Sequence, residues 1–336
     1  MTVKITIIGL GQIGASMGLA LAGHREQVTT LGHDKSAEIA RKAHKMGAVD
    51  RIEYNLPASV EGADVVVLAL PFDQIYETLK FIAQDLREDV VVMDTAPVKS
   101  AVVGWVKELL PPKHHYVGLT PALNPDCLEE ARTGIEAARA DLFSQGLMAV
   151  TIPPGTASEV LKLAADFVTL LGAQPYFADL AEVDGMMASV HLLPGLAATA
   201  FVEMVTGQPS WADIRKLAGK LFMAAARPLD GEKSAALAEA ALQGQTNAVR
   251  VLDEYIAVLK SLREDIAGEQ REGLQTRLER AEKRRAEWRH ERAKGDWRLV
   301  ELGGQPIPKA GDVFWKQQLG GLGGLFRRGD KKSDAD

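Results

Sequence analysis

The sequence predicts an α/β fold: a mostly parallel sheet wound with helices, followed by an all-helical half. Three observations carry this expectation. Short β-branched runs alternate with helical patterns through the first half, as successive β-α-β units require. Strand signals stop after Leu180 while helical periodicity continues to about Lys294. A glycine-rich turn, Gly9-Leu-Gly11-Gln-Ile-Gly14, falls between the first strand and the first helix.

Strands are expected at 3–9, 28–33, 64–70, 89–94, 115–119 and 147–152, with helices at 13–22, 36–45, 72–83, 98–109 and 127–143. A helix over 157–171 leads to a short strand at 174–177. The helical half then reads 181–205 with a bend at Pro194, 211–226, 232–242, and one long run from Thr246 to about Lys294. Pro228, Gly231 and Gly244 stand where turns are needed. The domains are therefore expected at 1–178 and 179–298, with a partly flexible tail at 299–336 that opens into Gly320-Gly-Leu-Gly-Gly-Leu-Phe326.

Composition narrows the function. The 336 residues are 46% hydrophobic and 25% charged, with a formal net charge of −6, ample for two domains with cores of their own. A pI near 5.7 leaves no basic surface for a phosphate backbone, so nucleic acid is not expected as a partner. The stretch 271–294 mixes nine basic with five acidic residues and reads as a solvated helix face rather than a nucleic-acid arm. Cys127 is the sole cysteine; no disulfide can form, no Cys/His group has zinc-ligand spacing, and a cytoplasmic protein without a metal is expected. The start has no basic, apolar and small-residue layout of a secretory leader. The uncharged stretch 185–202 reaches the minimum length of a membrane span, yet it holds His191 and Pro194 and is rich in Gly and Ala. A buried helix is expected there rather than a span. So apolar a helical half needs something large to bury against, and a second copy, giving a homodimer, is the simplest candidate.

The glycine turn has the strand-before, helix-after context that gives the Rossmann fingerprint its meaning. Gly9 permits the tight turn, Gly11 lets backbone approach a pyrophosphate, and Gly14 lets helix pack on strand. The N–H groups of Gln12 and Ile13 then face the anion. Twenty residues past Gly14, Asp34 ends the second strand. A carboxylate there accepts both adenosine ribose hydroxyls and repels a 2′-phosphate, so NAD is expected over NADP, with the cation of Lys35 working the other way. Leu70-Pro71 ends the third strand candidate where such cofactors lie, and is expected as a further contact.

These residues, with others in order along the chain, resemble the prephenate and arogenate dehydrogenases over roughly residues 3 to 265. The opening Ile8-Gly-Leu-Gly-Gln-Ile-Gly-Ala-Ser-Met-Gly-Leu-Ala-Leu21 is similar to the family's. Asp94-Thr-Ala-Pro-Val-Lys99 sits where the family has Asp, two variable residues, then Ser-Val-Lys. Gly134, Ala140-Asp-Leu-Phe143 and Val150-Thr-Ile-Pro153 resemble its later segments, and Asp184 to Gly195 its Asp-to-Ser-His-Leu-Pro-His stretch. The resemblance implies an NAD-dependent dehydrogenase acting on a small carboxylated hydroxy substrate, prephenate by default. In that chemistry a ring hydride goes to the nicotinamide while the ring carboxylate leaves as CO2. A His near the hydroxyl accepts its proton or hydrogen bond, and an Arg from the helical half grips a carboxylate.

The chain departs from the family at polar positions. Thr120, in Gly118-Leu-Thr-Pro121, replaces the principal catalytic His, and Pro97 the Ser before Val-Lys. His191 falls where Ser is expected, and Leu192 and Gly195 where the two His are expected. Of the family's Phe-Arg-Asp-x-Thr-Arg, only Phe222 and Arg227 remain. His191 is thus the candidate proton acceptor, or a hydrogen-bonded core residue. Arg227 is a carboxylate clamp, or a cation at a helix C-terminus. Lys99 contacts substrate or a cofactor phosphate, or is solvated. Thr120 and Asn124 are hydrogen-bonding groups of the loop where the family keeps its His, while His114 and His115 read as surface residues. Two other functions stay open: a dehydrogenase for a different hydroxy acid, and a catalytically silent NAD-binding paralogue.

Overall fold

The computed structural model describes residues 2–231 and 234–295. The expected tail at 299–336 lies outside the described residues, as do positions 232–233 and 296–298 of the helical half.

The first half runs β1 (Val3–Ile8), α1 (Gln12–Leu21), β2 (Val28–His33), α2 (Ala37–Lys45), β3 (Arg51–Ile52), α3 (Leu56–Val60), β4 (Val65–Leu68), α4 (Ile75–Ile82), β5 (Val91–Asp94), α5 (Lys99–Leu109), β6 (His115–Pro121), β7 (Leu147–Thr151), α6 (Ser158–Leu170) and β8 (Gln174–Phe177). The eight strands form one sheet in the order β3-β2-β1-β4-β5-β6-β7-β8. Every neighbouring pair is parallel except β6–β7, which is antiparallel. Alternate residues feed two cores. Ile5, Ile7, Val65, Val67, Met93, Val117 and Leu119 face one side with α1 and α6. Ile8, Val66, Leu68, Val92 and Tyr116 face the other with α4 and α5. A strand covered on both faces is apolar throughout rather than alternating, as Val65-Val-Val-Leu68 is. The register brings His33, Ile8, Leu68, Asp94 and Gly118 into one row across the sheet. The residues just beyond them, Asp34, Gly9, Ala69 and Thr120 among them, form a single carboxyl edge.

The second half is helical: α7 (Leu180–Met187), a π-turn (Ala188–Leu192), α8 (Leu193–Thr206), α9 (Trp211–Leu217), α10 (Lys220–Ala226), α11 (Ser234–Gln243), α12 (Gln245–Ala267) and α13 (Arg271–Lys294). The π-turn docks this half onto the sheet domain. Ala188 and Leu192 share a core with Val98 and Val102 at the start of α5 and with Ala236, Ala240 and Val251.

Several expected elements differ in the structure. The helix expected over 127–143 is a loop with two short 3-10 turns. Gly134 has φ +61°, and backbone donors turn to tertiary acceptors: Asn124 N to Leu142 O at 2.7 Å and Arg139 N to Ser16 Oγ at 2.9 Å. The strand expected over 115–119 continues to Pro121 because β7 pairs with it, opposing Ala149 to Thr120; Thr120 is a strand residue, not a loop residue. The long run from 246 breaks after Gly268, where Glu269 adopts φ +50° and α13 folds back on α12. There Arg277 reaches Asp265 and Ser261, each at 2.8 Å. The run 211–226 breaks at Ala218-Gly219. The stretch expected at 181–205 is one helix of 27 residues, α7, the π-turn and α8 together, long and apolar enough to cross a bilayer. The burial expected of it is incomplete within a single chain, where 22% of its most apolar window is covered.

Candidate active site

The carboxyl edge begins with the glycine turn. Gly9 has φ +90°, and a Cβ there would lie 2.3 Å from Ala69 O. A Cβ on Gly14 would lie 1.9 Å from Gly9 O, so α1 can approach β1 only with glycine at that position. Around Gly11 a Cβ would meet nothing within 4 Å; that side of the turn is open. Gly11 is also the N-cap of α1, with no side-chain cap and no acidic residue in the first turn. The half-buried Gln12 and Ile13 therefore open the helix with donors and dipole available to an anion.

Asp34 closes the other side of this cradle. Its Oδ2 accepts from Leu10 N at 2.9 Å and its Oδ1 from Ser36 N at 2.8 Å. The carboxylate is held beside the turn with lone pairs left for ribose hydroxyls. The Lys35 ammonium bonds Gln74 Oε1 at 3.1 Å, which ties the cation toward the turn after β4. Leu70 and Pro71 are half-buried, and Leu70 Cδ2 lies 2.9 Å from the place of a Gly9 Cβ. An open turn, an uncapped helix start and a fixed carboxylate fit a dinucleotide.

Beside the cradle lies a buried charge cluster. Lys99, the first residue of α5, is fully buried. Its Nζ donates to Asp94 Oδ1 at 2.9 Å, Asp94 O at 3.1 Å and Leu119 O at 2.8 Å. Asp94 also accepts from Ala96 N at 2.6 Å and from the Tyr116 hydroxyl. Asp184, on α7, caps α5 from the other half: its two oxygens accept from Lys99 N at 2.6 Å and Ser100 N at 3.0 Å. Burial pushes the Lys99 ammonium down, with Asp94 pulling the other way. Burial and the Asp94 charge hold the Tyr116 phenol well above its ordinary range. Gly118 makes room for the lysine stem, since a Cβ there would lie 2.8 Å from Lys99 Cδ and 2.3 Å from Thr151 Oγ1.

Several expected site residues are placed differently by this geometry. Lys99 is neither solvated nor open to a substrate, because all three ammonium hydrogens have internal acceptors. Asn124 is buried, with its Nδ2 on Asp141 O at 3.0 Å and its Oδ1 accepting from Asp126 N at 3.1 Å; it shapes the loop after β6. Arg227 spends Nη2 on Glu130 O at 2.7 Å and Glu129 O at 3.4 Å in that loop. Two arginines of α13 reach the same loop, Arg289 pairing with Glu129 and the buried Arg292 donating to Leu123 O. Thr120 is partly exposed while its Oγ1 is buried with no hydrogen-bond partner. His191 lies half-buried in the π-turn. His114 and His115 are half-buried at the opposite edge of the sheet.

Residues 17–177 match the nucleotide-binding domain of prephenate dehydrogenase, and residues 180–280 match the dimerization domain of the same enzyme. The chain belongs to the prephenate dehydrogenase family. A cyclohexadienyl dehydrogenase from Zymomonas mobilis is 27% identical over 84% of this chain and 94% of its own length. A prephenate dehydrogenase from Lactococcus lactis is 30% identical over 59% of this chain, which spans 53% of that protein. Among solved structures, a prephenate dehydrogenase from Aquifex aeolicus, in complex with hydroxyphenyl propionate and NAD+, superposes with a TM-score of 0.73. It is 23% identical, over 85% of this chain and 98% of that one. The arogenate dehydrogenase of Synechocystis superposes at 0.65, with 24% identity over 85% and 99% of the two chains. The chain is an NAD-dependent dehydrogenase of this family, and the match begins after the glycine turn, whose fit to the cofactor stands on its own geometry.

Two expectations follow. NAD should bind more tightly than NADP because the Asp34 carboxylate, held beside the glycine turn, would repel a 2′-phosphate. Asp34→Asn should narrow that gap in calorimetric titrations, and an equal or reversed preference in the unaltered protein would refute the assignment. Lys99→Met leaves Asp94 buried and uncompensated, so it should cost roughly 3–5 kcal/mol in urea unfolding.

Proposed function

We propose that this dehydrogenase oxidises a small carboxylated cyclohexadienol, prephenate by default, with loss of the ring carboxylate as CO2. The match across both family domains, from residue 17 to residue 280, carries the reading, and the intact cofactor cradle supports it. NAD, when bound, supplies the hydride acceptor. Asp34 and the N–H groups of Gln12 and Ile13 would hold it, with Leu70 and Pro71 at its border. Asp94, Lys99 and Asp184 fix the end of β5 and the start of α5. Thr120 on β6 and His191 on the π-turn are the two side chains that this reading assigns to the substrate hydroxyl. For Arg227 to grip a carboxylate it must exchange the carbonyls of Glu129 and Glu130 for it.

That engagement of Arg227 and the enclosure of Lys99 favour, as a second reading, a catalytically silent NAD-binding paralogue. Following NADH absorbance with prephenate, arogenate and a panel of other hydroxy acids separates the two. Turnover of prephenate or arogenate is expected. Turnover of another hydroxy acid alone would move the assignment to that substrate, and NAD binding without turnover of any would establish the silent role.

The working form is proposed to be a cytoplasmic homodimer. The helical half leaves Val190 70%, Met204 58%, Leu217 89% and Leu221 89% exposed in the single chain, an apolar surface that a soluble monomer rarely shows. Light scattering should give the mass of two chains at micromolar concentration, with a stable monomer as the refuting result.

A further inference from the structure

We propose that the Thr120 hydroxyl receives the ring hydroxyl of the substrate, and that the oxidation needs no protein base because the substrate keeps that proton. The proposal rests on the dehydrogenase reading above. It begins from an unpaired atom. Four side-chain atoms among the described residues are buried without a hydrogen-bond partner, on Gln27, Asp73, His114 and Thr120, and of these only Thr120 lies on a strand. It stands at the carboxyl edge beyond the row that ends β1, β4 and β5.

Side chains alternate along a strand, so Tyr116, Gly118 and Thr120 share a face. That face carries the Asp94–Lys99–Tyr116 cluster and, through Asp184, meets the helical half. The charged groups there are committed to one another: Asp94 to Lys99 and Tyr116, Asp184 to the start of α5. Ala149, opposite on β7, offers Thr120 no side-chain donor or acceptor. Lys99 holds the carbonyl of Leu119 at 2.8 Å, so the backbone at Thr120 is anchored and the side chain responds by rotation. One step of about 120° between staggered wells exchanges Oγ1 with Cγ2, and Thr120 is partly exposed.

A threonine hydroxyl does not titrate near neutral pH, so it can replace a histidine only if no proton has to leave. The balance of the reaction allows this. The carbinol carbon gives its hydrogen and two electrons to the bound nicotinamide. The bond from the ring to its carboxylate breaks, its electron pair enters the ring, and CO2 departs. The ring becomes aromatic with its oxygen still carrying hydrogen, as a phenol. No proton is released, and the protein must only orient that oxygen. Thr120 does so as a neutral acceptor and donor. The imidazole of His191, in the π-turn, is the alternative acceptor.

The test uses ligand preference as well as activity. With NAD present, 3-(4-hydroxyphenyl)propionate should bind the unaltered protein about tenfold more tightly than 3-phenylpropionate in calorimetric titrations, the scale of one hydrogen bond. Thr120→Val should bring the two within about twofold, while Thr120→Ser should keep the preference. Neither change should weaken NAD binding, and the valine should not lower the melting temperature, since it removes an unpaired hydroxyl. The kcat/KM of the unaltered protein should be level between about pH 5.5 and 8, whereas Thr120→His should introduce a fall below about pH 6.5. The proposal is overturned if the valine variant keeps the preference, if neither ligand binds, or if activity falls through the imidazole range and disappears in His191→Asn. Absence of turnover with every substrate would instead refute the dehydrogenase reading, and the ligand preference would still decide the role of Thr120.

Discussion

A lysine ammonium taken out of water must replace its whole hydration shell, and Lys99 does so with each of its three hydrogens on an oxygen of β5 or β6. A buried ion is tolerable only when paired and fully hydrogen-bonded, so the positions of those oxygens are fixed with it. The end of β5, the last turns of β6 and the first turn of α5 cannot move independently. The room for the stem comes from Gly118, and the second oxygen of the Asp94 carboxylate accepts from Tyr116.

The charge balance reaches into the helical half. One ammonium and the positive end of α5 face two carboxylates, Asp94 and Asp184, and Asp184 arrives from α7. A cation at a helix N-terminus is unfavourable by itself; here a carboxylate from the other domain offsets it and accepts the two first-turn donors. The same bonds that settle the electrostatics of α5 therefore hold the two halves at one orientation. At the other side of the cleft Arg227, Arg289 and Arg292 cross from the helical half to the loop after β6 and hold it by its carbonyls and Glu129.

The sheet and the cofactor turn were legible in the sequence because their signals are local. β-branched runs, the glycine spacing and Asp34 at a strand end all act within a few residues of themselves. The helix expected over 127–143 failed for the opposite reason: its composition is helical, but Ser16 takes the N–H of Arg139 and the N–H of Asn124 takes the carbonyl of Leu142. Lys99 was singled out by its motif and given the wrong surroundings, since burial of a lysine depends on partners 5 and 20 residues away. Asp184 was marked only as the start of a family-like segment, because its two bonds to the start of α5 join residues 84 and 85 positions apart. Arg292 could not be found at all, because nothing near it in the chain marks a contact 169 residues distant.

The π-turn between Met187 and Leu193 has a geometric effect of its own. It spends one residue more than an α-turn, and each residue of an α-helix advances the face by about 100°. The helix beyond it is therefore rotated relative to the helix before it. Asp184, Ala188 and Leu192 are buried at intervals of four, toward α5 and its neighbours, and Gly195 and Ala198 follow at intervals of three. A Cβ on Gly195 would meet Leu237 at 2.8 Å. One uninterrupted rod thus offers different stripes to different neighbours. Losing a single residue from the turn would leave both contacts encoded in the sequence while making them impossible to satisfy together.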